Sequence, residues 1–160
     1  MSTNWVDISS TLCGIIYSMC WNLSFYPQLY ELYRLKSVAG FSLEFALLNP
    51  SGYFFYTIYT TTGFIDPTLG SGHVDWADLF FACHGLFMST AQLVECIVFP
   101  RTKNNQGFKL WVVLFLACEY IVFTVFLVLQ LSGHSMPAGG SVINICGYCK
   151  AAITLVKYTP

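Results

Sequence analysis

The stretch ISSTLCGIIYSMCWNLSFYPQLY, residues 8–30, holds no Asp, Glu, Lys or Arg, and it is framed by Asp7 on one side and Glu31, Arg34 and Lys36 on the other. An α-helix rises about 1.5 Å per residue, so about 20 apolar residues cross the roughly 30 Å hydrocarbon core of a bilayer. This stretch is long enough. Residues 45–65 and 120–149 are equally free of charge, His134 apart. Composition agrees: 56% of the 160 residues are hydrophobic, 18% aromatic and 9% charged, against about 25% charged in soluble domains. These values argue against a water-soluble globule, and a net charge of −1 leaves no basic patch for nucleic-acid phosphates. The fold class read from this pattern is all-α, a polytopic transmembrane helical bundle whose surroundings are the lipid bilayer.

Five spans follow, at about 8–28, 45–63, 79–99, 110–131 and 142–158. Gly40 marks a turn in the first connection, and Asp66-Pro67 with Gly70-Ser71-Gly72-His73 marks another in the second. Arg34 and Lys36 fall at the first connection and Arg101, Lys103 and Lys109 at the third, while the second and fourth hold no Lys or Arg. That alternation predicts an N-terminus outside or in a lumen, and Lys157 on the cytosolic side. Residues 1–7 lack the basic start of a secretory signal, so the first span is expected to stay as a permanent helix. The seven cysteines, Cys13, Cys20, Cys83, Cys96, Cys118, Cys146 and Cys149, all fall in predicted spans and read as small packing residues. Cys146 and Cys149 form a lone C-x-x-C without the second pair of a zinc site, so no metal site is expected.

Polar groups at membrane depth usually face a bundle interior or a cavity, which makes them the candidates for function. Trp21, Ser24, Phe25 and Gln28 recur at i, i+3, i+4 and i+7 on one helix face, and Pro27 frees the carbonyl four residues earlier. A kinked helix of this kind fits a substrate site in a transporter or a packing kink, and the residues leave the two open. Asn49-Pro50-Ser51-Gly52 is a second interruption, with Asn49, Tyr53 and Tyr56 on one face. Its amide can serve freed carbonyls or offer both donor and acceptor to a zwitterion. Asp78 opens the third span, where it either stabilises a helix N-terminus or carries a proton; His84 points to another face, and Glu95 reads as interfacial. Lys150 and Lys157, seven apart, share a face about 10 Å long. Lys157 can reach the interface, but Lys150 lies deeper and calls for an acid such as Glu119, midway along the fourth span, or for a ligand carboxylate. Neither a phosphate loop nor a nucleophilic triad accompanies them, so the protein does not read as an enzyme.

Three segments then resemble one family. Ser24-Phe25-Tyr26-Pro27-Gln28, followed by Lys36-Ser37-Val38, Gly40, Ser42, Phe45 and Leu48-Asn49, is similar to the first PQ-loop of the cystinosins, lysosomal cotransporters of cystine and protons. Asp78-Leu79-Phe80-Phe81-Ala82-Cys83-His84 resembles that family's D-x-F-F-x-x-H segment, and Lys150 through Tyr158 with Pro160 resembles the lead-in to its second PQ-loop. The resemblance implies a PQ-loop triple-helix architecture of seven helices. Residues 1–99 would form the first three-helix repeat, 100–140 the linker helix with its loops, and 141–160 the first helix of an incomplete second repeat. It implies that Trp21, Phe25, Asn49, Lys150 and Lys157 contact substrate, that Asp78 couples a proton, and that Pro27, Gln28 and Pro50 form the kink and PQ motif. No cofactor is implied beyond the coupling proton.

The expected activity is export of L-cystine with a proton from a lysosomal or vacuolar lumen to the cytosol. Two alternatives stand beside it: a truncated PQ-loop fragment that transports nothing, since the family's motif continues where this chain has Pro160, and a PQ-loop carrier of another amino acid or a sugar. The lysosomal address comes from the resemblance alone.

Overall fold

A computed structural model describes residues 5–66, 74–100, 107–134 and 140–158, with the side chains of Val6 and Asp7 excepted. The turn at Pro67 and Gly70 to His73, the residues Arg101 and Lys103, and the terminal Pro160 lie outside the described residues. Five helices account for most of the chain: α1 (Trp5–Leu35), α2 (Leu43–Ile65), α3 (Trp76–Val98), α4 (Leu110–Leu131) and α5 (Val142–Tyr158).

α1 runs 31 residues, past the expected end of the first span and through Pro27 without a break. Pro27 is solvent- or lipid-facing, so its ring stands clear of the neighbouring helices. The helix stops at Lys36, which turns into the left-handed region at φ 44°, and Gly40 at φ 82° completes the reversal. Gly40 takes that conformation without the Cβ clash other residues meet. Ser42 then caps α2 by accepting from the Phe45 N–H at 3.2 Å, one of the donors a helix start leaves unpaired. α2 likewise continues through Pro50. At the far end of the bundle, Gln130 of α4 accepts the Val142 N–H through its Oε1 at 2.9 Å and so caps α5.

α3 lies between α1 and α2, and α2 also packs on α5, which in turn carries α4. One apolar core joins Leu48 and Phe55 of α2 to Val112 and Leu116 of α4 and to Val142, Cys146, Cys149 and Ile153 of α5. A smaller one gathers Leu32, Val38, Leu43, Ala46 and Cys96 near the first connection. The outer surface is as apolar as these cores: Leu12, Ile16 and Leu23 of α1 and Leu114, Ile121 and Val125 of α4 are exposed, while Asn49, Ser51, Thr60, Ser89 and Gln92 are buried. Polar inside and apolar outside is the arrangement a bilayer selects, since lipid tails do not drive helices together and interfaces rely on packing and hydrogen bonds. By length and hydropathy alone α3 and α4 can each cross a membrane. α2 and α5 are diluted by the polar residues that face inward, and α5 has 17 residues, the short limit for a span.

The cysteines need a correction. None of the seven is in a disulfide, but only Cys96, Cys146 and Cys149 are buried; Cys13, Cys20, Cys83 and Cys118 are exposed.

Candidate functional site: a two-lysine cavity

The cavity of about 250 Å³ between α1, α2, α3 and α5 is where the polar faces converge. Its wall includes Trp21 of α1, Asn49, Tyr53 and Tyr56 of α2, Asp78 of α3, and Lys150 and Lys157 of α5. Five of the candidate residues, Trp21, Asn49, Asp78, Lys150 and Lys157, therefore share one space although they come from four helices.

Each helix contributes through its periodicity. Asn49, Tyr53 and Tyr56 line up along α2 as their spacing predicts, and Gly52 beside them lets Ile153 of α5 approach, since a Cβ there would stand 3.2 Å from its methyl. Asn49 is 3% exposed, and its Oδ1 accepts from Lys157 Nζ at 2.9 Å. The same ammonium lies 5.2 Å from the Phe45 ring centroid and 4.7 Å from that of Tyr158. Lys150 Nζ sits 5.0 Å above the Tyr56 ring. These distances fall within the roughly 6 Å over which a ring face attracts a cation. Asp78 occupies the first turn of α3 and is exposed to the cavity. It therefore sits in the first turn of the helix and on the cavity wall together.

The remaining candidates lie elsewhere. Phe25 is buried behind the wall, its ring 5.9 Å from that of Tyr53, which packs 5.7 Å from Phe81. Phe25 thus supports the Tyr53 face of the cavity from the second rank. Gln28 turns away from the cavity and accepts from Gln92 Nε2 of α3 at 2.9 Å. The expected shared face of Trp21, Ser24, Phe25 and Gln28 divides: Trp21 to the cavity, Ser24 to its own backbone at Trp21, Phe25 to the support layer, Gln28 to α3. His84, on another face as expected, meets Tyr26 at 3.1 Å. Glu119 lies beside the Cys149 thiol, whereas Lys150 sits over Tyr56.

Tyr17, Ser18, Thr154 and Tyr158 also line the cavity and were not singled out by sequence. Tyr17 had a signal, four residues before Trp21 and in edge contact with it at 6.3 Å. A second cavity, of about 550 Å³, adjoins the first through Leu48 and Lys157, which line both; Ser42, Glu44, Phe45, Lys109 and Trp111 complete it. At its rim Lys109 meets Glu44 at 3.0 Å. Glu44 precedes the span of α2, and the Lys109 hydrogen bond holds its carboxyl below the usual carboxylate range.

A family model described as PQ loop repeat matches residues 9–69. Over 97% of its length the chain is 30% identical to a cystinosin homolog of Dictyostelium discoideum, covering 56% of that protein. It is 29% identical to the cystinosin of Bos taurus over 99% of its length, covering 45% of that protein. The chain is similar to the cystinosins along nearly its whole length, and its first part matches the PQ loop repeat. It is also 24% identical to a protein of Saccharomyces cerevisiae (strain ATCC 204508 / S288c) named as a cystine transporter, covering 64% of it. The chain thus spans about half the length of the relatives it matches. With its five helices the chain is a multi-pass helical membrane protein, and the Saccharomyces cerevisiae protein that it resembles is named as a transporter.

Proposed function

We propose that this protein carries L-cystine across a lysosomal or vacuolar membrane together with a proton, from lumen to cytosol. The observation that supports the reading is the convergence of Trp21, Asn49, Asp78, Lys150 and Lys157 on one cavity. At about 250 Å³ this space lies below the roughly 300–1,000 Å³ of drug-sized sites, which suits a compact ligand. L-Cystine carries two carboxylates and two ammonium groups. The Lys150 and Lys157 ammonium groups receive the carboxylates, the second by exchange for Asn49 Oδ1, which then faces a ligand ammonium. Trp21 packs the disulfide body.

Asp78 takes the proton at acidic lumenal pH and releases it on the cytosolic side, which favours one tilt of the helices over the other. The basic connections then face the cytosol, with the second cavity on that side and Lys157 on the wall between the two cavities. Uptake of labelled cystine into vesicles from an acidified outer solution tests the proposal. Uptake that rises with outside acidity in the wild type and loses that dependence in Asp78→Asn supports it; uptake indifferent to pH contradicts the coupling. Competition by arginine or glucose separates other cargoes, and two cavity lysines disfavour a cationic one.

A further inference from the structure

α1 and α3 meet along a seam that faces away from the cavity. Asn22 and Leu32 of α1 and Ser89 and Gln92 of α3 are buried. Towards the first connection the seam turns polar, where Gln92, 1% exposed, donates through Nε2 to Gln28 Oε1. Two acceptors remain: Gln92 Oε1 and Glu95 Oε2 are both buried without a hydrogen-bond partner. They belong to residues three apart on one helix, the spacing at which side chains meet.

Among the described residues no cation is paired with Glu95. At this end of α1 the ionisable side chains are Tyr30, Glu31, Tyr33, Arg34 and, just past the helix, Lys36, all exposed. On α2 it is Glu44, engaged by Lys109; on α3 itself the neighbouring residue is the buried Cys96. A buried oxygen of an ionised carboxylate that has no donor carries a desolvation cost with nothing to offset it. A single proton changes that, since a carboxylic acid donates one hydrogen bond and the amide oxygen accepts it.

We propose that Glu95 is a proton-binding site, held as a neutral carboxylic acid whose O–H donates to Gln92 Oε1. The chain Glu95–Gln92–Gln28 then ties α3 to α1 at the residue following Pro27. Loss of the proton places a charge in the seam and opens this end of α1 and α3 to water. The site lies 95 minus 78, or 17, residues from Asp78, about 25 Å along the helix axis, and does not depend on what the cavity carries.

Infrared spectroscopy of the reconstituted protein tests this. At neutral pH the wild type minus Glu95→Gln difference is expected to contain the C=O stretch of a protonated carboxyl. Gln92→Leu, with Glu95 intact, is expected to move that stretch to higher frequency because its hydrogen bond is gone. A difference containing only carboxylate stretches overturns the proposal and means that Gln92 is turned to donate to an ionised Glu95. A protonated band that Gln92→Leu leaves unmoved overturns it too, and this second variant serves should Glu95→Gln fail to fold.

Discussion

The cavity between α2 and α5 and the seam between α1 and α3 both place polar side chains at membrane depth, and they satisfy them differently. In the seam, the amides of Gln28 and Gln92 bind each other. In the cavity, two ammonium groups face the same space with one amide oxygen and three ring faces as neighbours; among the described residues neither is in an ion pair. Amides that have found each other tie helices together. Cations held by weaker neighbours beside open space stay available to a carboxylate from outside. The cavity thus holds its two cations with partners that can be exchanged.

Removing a cavity cation breaks the contrast most severely. Lys150→Ala or Lys157→Ala deletes a charge-assisted bond worth about 1.5–3 kcal/mol, so cystine binding is expected to weaken by about 10- to 100-fold, read by labelled cystine binding. The two variants should differ in stability. Lys157→Ala also strands the buried Asn49 amide and lowers the thermal midpoint, whereas Lys150→Ala leaves only the Tyr56 ring uncovered.

Next in size is Gly85→Ala. A Cβ at Gly85 would overlap the Tyr53 ring, which is hemmed in by Phe25 and Phe81. Overpacking of this kind costs about 1–3 kcal/mol; thermal unfolding checks the loss, and cystine binding checks the displaced cavity wall. The seam gives a smaller effect. Gln28→Leu and Gln92→Leu each leave one amide alone, and the double variant removes both. A double-mutant cycle is expected to return a coupling of about 0.6–1.7 kcal/mol, the range for hydrogen bonds between membrane helices, with cystine binding unchanged.

The smallest effect lies at the rim. Glu44 is held below the ordinary carboxylate range by Lys109, so its contribution is present above the unfolded-state value, near 4.5, and is lost as pH falls through the lower folded value. Lys109 is 63% exposed, which limits the pair to under about 1 kcal/mol. The thermal midpoint should fall slightly more on acidification in the wild type than in Lys109→Ala.

Charge-free runs carried most of the fold. The expected spans 110–131 and 142–158 coincide with α4 (Leu110–Leu131) and α5 (Val142–Tyr158), because charges and glycines bracket both. α1 exceeded its span because Pro27 and the charges beyond it mark the end of an apolar run, whereas the helix continues until Leu32 is buried against the first connection. Within the site, residues with charge or a proline neighbour were legible: Asn49, Asp78, Lys150 and Lys157. Tyr17, Ser18 and Thr154 were not, since aromatic and hydroxyl residues recur all along these helices and only helix rotation selects the ones that face inward. Rotation also decides which cysteines are buried, and which of Phe25 and Trp21 reaches the cavity. Gln92 escaped notice because Asp78 and Glu95 are the formal charges of α3, while the amide between them is the more deeply buried group.

Equilibrium binding of labelled L-cystine to the purified protein in lipid tests the central claim most directly. Saturable binding that is lost when Lys150 and Lys157 are both replaced by Ala, and kept when Gln28 and Gln92 are both replaced by Leu, is the result predicted. Binding that survives the loss of both lysines would contradict the account.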